Sequence, residues 1–115
     1  MTLEEELEIE NQKKIDANNK IKQIRRSMAL SKVKVGAAYR CGNTIHIPRD
    51  VDIYMKYNID RLVCSSINSI SNGICKIDKS LIHPDRFSTY EMINENGDEA
   101  IIEEARKVLK SHENT

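Results

Sequence analysis

The side chains with the chemistry for metal binding are three cysteines and three histidines that lie far apart in the sequence. Cys41, Cys64 and Cys75 include no pair at CxxC spacing, and with His46 and His83 they match no common pattern of zinc ligands. An odd number of separated thiols instead indicates reduced, buried side chains in a cytoplasmic protein. We therefore expect no metal and no disulfide framework.

Candidates for catalysis are equally sparse. Cys41 and His46 are the nearest nucleophile and base, but a tight turn separates them and no third residue is placed to orient the imidazole. His46 stands between two isoleucines, and we expect its ring to face solvent. The four glycines are scattered and form no phosphate-binding loop. The sequence predicts a protein that is not an enzyme, with no catalytic residues and no cofactor.

Length and composition indicate one small domain with an extension. The chain has 115 residues, of which five are Phe or Tyr and none is Trp, so the core must consist of Ile, Val, Leu and Met. No apolar run approaches the roughly 18 residues that a membrane helix needs. The acidic N-terminus lacks the basic and apolar segments of a secretory signal. We expect a cytoplasmic protein without a membrane segment.

Charged residues are segregated along the chain, although the net charge is zero. Residues 1–10 carry five Glu and no base, whereas residues 11–34 carry eight Lys or Arg and a single Asp. Residues 91–115 are acidic again. Such a molecule can bind a polyanion through its basic part, and it can equally bind its own acidic end.

A long helix is predicted over residues 2–29, with Thr2 as its cap and Glu5 at the capping-box position. Positions separated by alternating steps of four and three hold Leu3, Leu7, Glu10, Lys14, Ala17, Ile21, Ile24 and Met28. Six of these eight are apolar, which is typical of a coiled-coil seam interrupted at its middle. We predict an oligomerisation face formed by Leu3, Leu7, Ala17, Ile21, Ile24 and Met28. The alternative is an amphipathic helix that lies on its own core.

The remaining segments predict strands in pairs. Residues 33–39 indicate a strand, and Thr44–Ile47 indicate a second one that ends at Pro48. Residues 49–57 are predicted to form a short helix. Two further strands flank a turn at Asn72–Gly73, because Asn-Gly between apolar runs is a strong hairpin signal. The predicted inward residues of this second hairpin are Val63, Ile67, Ile74 and Ile77.

A last amphipathic helix is predicted to begin after Asn96, with Glu99 at the box position. Its expected buried stripe consists of Ile101, Ile102, Ala105, Val108 and Leu109. Together these elements predict an α+β fold with a long N-terminal helix, two antiparallel β-hairpins separated by a short helix, and a C-terminal helix. We expect a helical unit at residues 1–30 and a small α+β domain at residues 31–115.

The segment from about residue 33 to residue 80 resembles the swapped-hairpin DNA-binding domains of the AbrB and MazE type. The positions that carry the resemblance are Arg40, Gly42, Asn43, Ile47, Pro48, Ile59, Asp60 and Val63. The resemblance implies an intertwined dimer that binds DNA through basic residues around its first hairpin.

Candidate DNA-binding residues also follow from general chemistry, since several cations on one face displace the counterions of DNA. Next to a tight turn, Arg suits guanine and Asn suits adenine. Against this, Asn43 is an ordinary turn residue, and Arg49 could pair with Asp50 or Asp52. The residues predicted to bind nucleic acid are Lys32, Lys34, Arg40, Asn43, Arg49, Arg25 and Arg26.

Three functions are compatible with these patterns. The first is a small, oligomeric regulatory protein that binds DNA through the first hairpin and the basic helix. The second is a protein–protein inhibitor or adaptor whose long helix and charged surface dock on another protein. The third is an oligomer that sequesters an anionic small molecule in a pocket between subunits.

Overall fold

The computed structural model describes residues 1–57, 59–68 and 77–113, with side chains of the last helix described to Lys107 and at Lys110. The elements are α1 (Leu3–Leu30), β1 (Ala38–Cys41), β2 (Thr44–Tyr54), β3 (Ile59–Asn68), β4 (Ile77–Ile82), β5 (Glu91–Asn94) and α2 (Gly97–Glu113). The predicted α+β class, with a long N-terminal helix, antiparallel strands and a C-terminal helix, is confirmed at this level.

Helix α1 begins and ends where its polar side chains satisfy free backbone groups. The hydroxyl of Thr2 accepts a hydrogen bond from the backbone N–H of Glu5 at 3.2 Å. The hydroxyl of Ser31 donates to the carbonyl of Met28 at 2.7 Å at the other end. Because neither Gly nor Pro interrupts them, the 28 residues form one helix about 42 Å long. The molecule is consequently elongated, with extents of 78 × 24 × 22 Å.

The five strands form a single antiparallel sheet in the order β4-β3-β2-β1-β5. A tight turn at residues 42–43 joins β1 to β2, and Gly42 adopts a φ of +58° there, a conformation that favours glycine. In the resulting register, Tyr39 lies opposite His46 and Val51 lies opposite Leu62. The predicted turn at Asn72–Gly73 lies outside the described residues.

Strand β2 continues past Pro48, so the predicted helix at residues 49–57 is wrong. A β-bulge between Pro48 and Asp50 leaves Arg49 without an opposing residue in the register with β3. The strand then continues to Tyr54 and is followed by a short 3₁₀ helix at Met55–Tyr57. Pro48 lacks an N–H, but its carbonyl accepts a hydrogen bond from the N–H of Gly36 at 2.9 Å. Alternation of apolar and polar residues after the bulge indicates the strand.

Two other strand predictions need correction. The first strand begins at Ala38 and not at residue 33. Among the predicted inward residues of the second hairpin, Ile67 is buried and Val63 is half-buried, but Ile77 is exposed. Ile74 lies outside the described residues. The register of β3 places Leu62 and Cys64 in the core instead.

The sheet carries a small core on each face. The end of α1 and the 3₁₀ helix Pro84–Thr89 cover one face, whose buried residues are Ala29, Ala37, Tyr39, Val51, Leu62, Cys64, Ile82 and Phe87. Helix α2 covers the other face, where Ala38, Ile45, Ile47 and Ala100 are buried. At the start of α2, a Cβ on Gly97 would lie 2.6 Å from the carbonyl oxygen of Gly36 and 2.7 Å from Ile47, so only glycine fits.

Helix α2 has the predicted cap but a different buried face. The side-chain oxygen of Asn96 accepts hydrogen bonds from the N–H groups of Asp98 at 3.1 Å and Glu99 at 3.3 Å. In the predicted stripe, Ile101 and Ala105 are half-buried and Ile102 is exposed, while the side chains of Val108 and Leu109 are outside the described set. Ala100 and Glu104 are the buried residues of the described part.

Candidate functional site

The most prominent surface is the free part of α1, residues 3–24, which we call the arm. Every residue from 1 to 24 is exposed, and contact with the sheet begins only at Arg25 and continues through the buried Ala29. The arm is about 33 Å long at 1.5 Å per residue. Its side chains are therefore available to a partner along most of the helix.

All six residues predicted to form an oligomerisation face are exposed, and five of them lie on the arm. At 100° per residue they fall within an arc of about 100°, which we call the apolar stripe: Leu3, Leu7, Ala17, Ile21, Ile24 and Met28. The sheet leaves the stripe exposed even at the base of α1, where Ile24 and Met28 are 52% and 61% exposed. The alternative prediction, a helix that lies on its own core, is wrong because only its last turns touch the sheet.

The middle of the stripe is charged. Glu10 and Lys14 occupy the two positions that break the apolar series, and both are exposed. Glu10 accepts a bond from Lys13 at 3.2 Å, but both side chains of that pair are about 70% exposed, so the contact stabilises little. Within the described residues, Lys14 makes no ion pair. This part of the stripe thus offers one acid and one base to a partner.

A bidentate ion pair fixes the arm to the sheet. Arg25 donates to Asp60 through Nε at 3.0 Å and through Nη2, and its Nη1 lies 3.2 Å from the sulfur of Met55. Arg25 and Asp60 keep only 17% and 24% of their side-chain exposure. Next to it, Arg26 pairs with Asp50 at 2.6 Å in a far more exposed position. Sequence inspection missed Met55 and Asp60, which carry no local signal of this role.

The cations predicted to bind DNA are each paired with a carboxylate of the same chain. Besides Arg25 and Arg26, the pairs are Lys32 with Asp85 at 2.5 Å, Lys34 with Glu95 at 3.1 Å, Arg40 with Glu104 at 3.6 Å and Arg49 with Asp98 at 3.0 Å. Arg49 therefore pairs with α2, and not with its neighbours in β2. The Lys32 ammonium lowers the pKa of Asp85 below its ordinary value, which keeps that pair charged.

These cations do not share one face. Arg40 and Arg49 reach the α2 side of the sheet, whereas Arg25 and Arg26 lie at the junction with α1 on the opposite side. A phosphate would have to compete with a nearby carboxylate at each of them. The DNA-binding assignment remains a prediction, and this arrangement does not favour it.

The turn at residues 42–43 lines a shallow cavity of about 170 Å³, and the buried Glu104 also lines it. Arg40 and Asn43 line it on one side, and Glu104 and Lys107 of α2 close the opposite side. Glu104 is 3.6 Å from Arg40 and 3.3 Å from Lys107, so both cations already have an anionic partner. The spacing of Glu104 from Ala100, one helical turn, was an available sign that this residue lies on the buried face.

His46 is half-buried on one face of the sheet, whereas the prediction placed its ring in solvent. Its Nδ1 is 2.5 Å from the hydroxyl of Ser66, which bonds in turn to Ser80 on β4, and its ring stacks on Tyr90 at 5.6 Å. Burial lowers the pKa of His46 below its ordinary value of 6.5. The neutral ring therefore acts as a polar link across three strands.

A second cavity, of about 270 Å³, lies at the end of the sheet that α2 leaves uncovered. Asp52, Tyr54, Tyr57, Ile59 and Arg61 line it. The two tyrosine rings stack with centroids 5.2 Å apart. One acid and one base together give the cavity no preference for an anion, so it offers no support for a site that sequesters anionic molecules.

Two further properties concern the part of the chain that the structure describes. Within it, no three His, Cys, Asp or Glu side chains are grouped closely enough to hold a metal ion. None of its helices combines the length and the apolar composition needed to cross a bilayer.

Comparison with known proteins gives no matching family model, no matching curated protein and no matching solved structure. The resemblance to AbrB- and MazE-type domains therefore stays a prediction.

Proposed function

We propose that this chain is a small, non-enzymatic regulatory binding protein that acts as an adaptor or inhibitor. The arm docks on a protein surface through the apolar stripe, and the sheet holds the arm in a fixed direction. One observation carries the proposal: the stripe remains exposed along the whole helix, although the chain has its own apolar core. Exposed apolar patches on a folded protein mark interaction sites.

The ion pair between Arg25 and Asp60 at the base of the arm supports the same function. Arg25 and Asp60, most of whose surface is buried, fix the base of the arm to the sheet. A rigid, projecting helix is an efficient docking element because little conformational entropy is lost when it binds.

DNA binding is the competing function, and the same full-length protein tests both. We expect the protein not to bind DNA in the salt-dependent way that phosphate contacts produce. The reason is that the candidate cations of the domain are already paired with carboxylates of the same chain. The measurement is fluorescence anisotropy of labelled duplex DNA at low and physiological salt. Tight binding that Arg40→Ala and Arg49→Ala abolish would favour the regulator of transcription over the adaptor.

The docking function is tested with two matched double variants. Leu7→Gln with Ile21→Gln changes the apolar stripe, whereas Ile9→Gln with Ile15→Gln changes two exposed isoleucines elsewhere on the arm. A protein partner captured by the wild type and by the second variant should be lost with the first. Binding of the purified partner is then titrated. Equal affinity for all three proteins would contradict the proposal.

A further inference from the structure

We infer that the occupant of the apolar stripe is the arm of a second copy of this chain, paired with it antiparallel. The inference rests on the proposed docking function and names a second copy of this chain as one of the proteins that the stripe binds. In the pairing, Leu3 lies opposite Ile21, Leu7 lies opposite Ala17, and Glu10 lies opposite Lys14 of the second copy. A two-fold axis repeats each contact, so the arms overlap over residues 3–21, about 28 Å.

The heptad positions of these residues are consistent with this orientation. The alternating steps of four and three place Leu3, Glu10, Ala17 and Ile24 at one core position and Leu7, Lys14, Ile21 and Met28 at the other. In an antiparallel pair of helices, each core layer joins one residue of each kind. All three proposed layers satisfy this requirement in the same register.

The two charged residues of the stripe select the orientation. In the antiparallel register, the carboxylate of Glu10 meets the ammonium of Lys14 twice across the axis. A parallel pair in register would instead place Glu10 on Glu10 and Lys14 on Lys14, and like charges at facing positions destabilise an interface. Glu10 and Lys14 interrupt the apolar stripe of one chain, but their charges are complementary when two arms pair.

One flanking charge pair agrees with the same register, whereas Lys13, which pairs with Glu10 of its own chain, lies opposite Lys13 of the second copy. Glu6 lies opposite Lys20 of the second copy at flanking positions, and in the described structure neither makes an ion pair within its own chain. More generally, the acidic residues 1–10 of one arm lie along residues 14–23 of the other, which include Lys14, Lys20 and Lys22. The cations at Arg25 and Arg26, just beyond the overlap, are already used to anchor the arm.

The shape of each molecule leaves room for the second arm. Ile24 and Met28 are exposed beside Arg25 and Ala29, so the sheet does not cover the stripe even at the base of the helix. The tip of the second arm ends near residue 21, one turn before the sheet begins. Because each chain contributes only four apolar residues to the overlap, we expect concentration-dependent association and not a permanent dimer.

Charge reversal on the stripe tests the pairing in the full-length protein. The molar mass of the wild type is measured by sedimentation over a concentration series, with the variants Glu10→Lys and Lys14→Glu. Each variant places like charges in two layers, and we expect its dimer dissociation constant to rise at least about tenfold. An equimolar mixture of the two variants should recover association at least as strong as that of the wild type.

Matched controls carry the same charge changes off the stripe. Glu8 and Lys22 are exposed on other sides of the arm, so Glu8→Lys and Lys22→Glu should change the dissociation constant less than about threefold. Circular dichroism verifies that the helix content of all variants is equal. A competing register shifted by one heptad would place Glu10 against Ile21, and there the charge reversals would have little effect.

The inference is overturned by a monomeric wild type at the highest soluble concentration, or by charge reversals that act no differently from their controls. A monomeric wild type would leave the proposed docking function in place, since that function is tested on a different partner with the glutamine variants. If the glutamine variants bind that partner as tightly as the wild type while the chain still self-associates, only the adaptor function is rejected.

Discussion

The anchor of the arm gives a quantitative prediction from two adjacent residues of the same type. Arg25→Ala removes a bidentate partner from Asp60, which retains 24% of its side-chain exposure, and leaves that carboxylate without its cation. Arg26→Ala removes an ion pair whose members are 48% and 55% exposed. Exposed pairs contribute about 0.2–1 kcal/mol, whereas breaking fully buried pairs costs about 3–5 kcal/mol.

The burial of the Arg25 pair places it between these limits. We therefore expect Arg25→Ala to lower the free energy of unfolding by about 2 kcal/mol and Arg26→Ala by about 0.5 kcal/mol. With a urea dependence of about 1.5 kcal/mol per molar, the two midpoints should fall by about 1.3 M and 0.3 M. Fluorescence of the tyrosines and circular dichroism at 222 nm follow the transition, and their coincidence checks that it is two-state.

A double-mutant cycle isolates the pair from other effects of shortening the side chain. Once Arg25 is Ala, adding Asp60→Ala should cost little more, because the unpaired carboxylate is gone. The reasoning is refuted if the two single arginine variants have the same midpoint, or if the coupling of Arg25 to Asp60 is below about 0.5 kcal/mol. Either result would mean that solvent reaches the anchor as freely as it reaches the exposed pair.

Four other predictions concern the sheet and the elements packed on it. Ile67→Ala should lower the free energy of unfolding by about 2–4 kcal/mol and Ile77→Ala by less than about 1 kcal/mol, because the two side chains are 1% and 52% exposed. Equal urea midpoints for the two variants would contradict the register of β3 and β4. Gly97→Ala should cost more than Gly42→Ala, since only the first adds a methyl group against backbone, and thermal unfolding of both measures the difference. Burial raises the pKa of Cys64 from 9.0 to about 12, so its ionisation favours the unfolded chain and stability should fall as pH rises from 9 towards 12. Mass spectrometry after alkylation at neutral pH should find Cys64 unmodified until denaturant is added, and rapid modification of the folded protein would show the thiol to be accessible.

Features with local causes were predictable from the sequence. The caps at Thr2 and Asn96 and the long uninterrupted helix depend on residues within one turn of each other, and the structure has them. The spacing of the apolar stripe also follows from the helix period alone. Whether the stripe packs on the sheet could not be derived, because that depends on where α1 leaves the domain.

Features set by distant partners were not predictable. Pro48 is a usual strand terminator, yet the bulge and the hydrogen bond from Gly36 keep it inside β2. Arg25 and Asp60 are 35 residues apart, and Arg40 and Glu104 are further apart still. No local pattern announces such pairs. A set of cations that resembles a DNA-binding surface in the sequence is, for this reason, largely a set of internal ion pairs in the fold.

The length of the arm has a mechanical consequence. Its base is held by a few side chains around Arg25 and Ala29, and its tip lies about 33 Å away. A tilt of about 10° at the base would sweep the tip through about 6 Å, roughly one helical turn. A small shift of the Asp60 carboxylate would therefore move the tip of the arm by several ångströms. Such a displacement is large enough to change which surface the tip contacts.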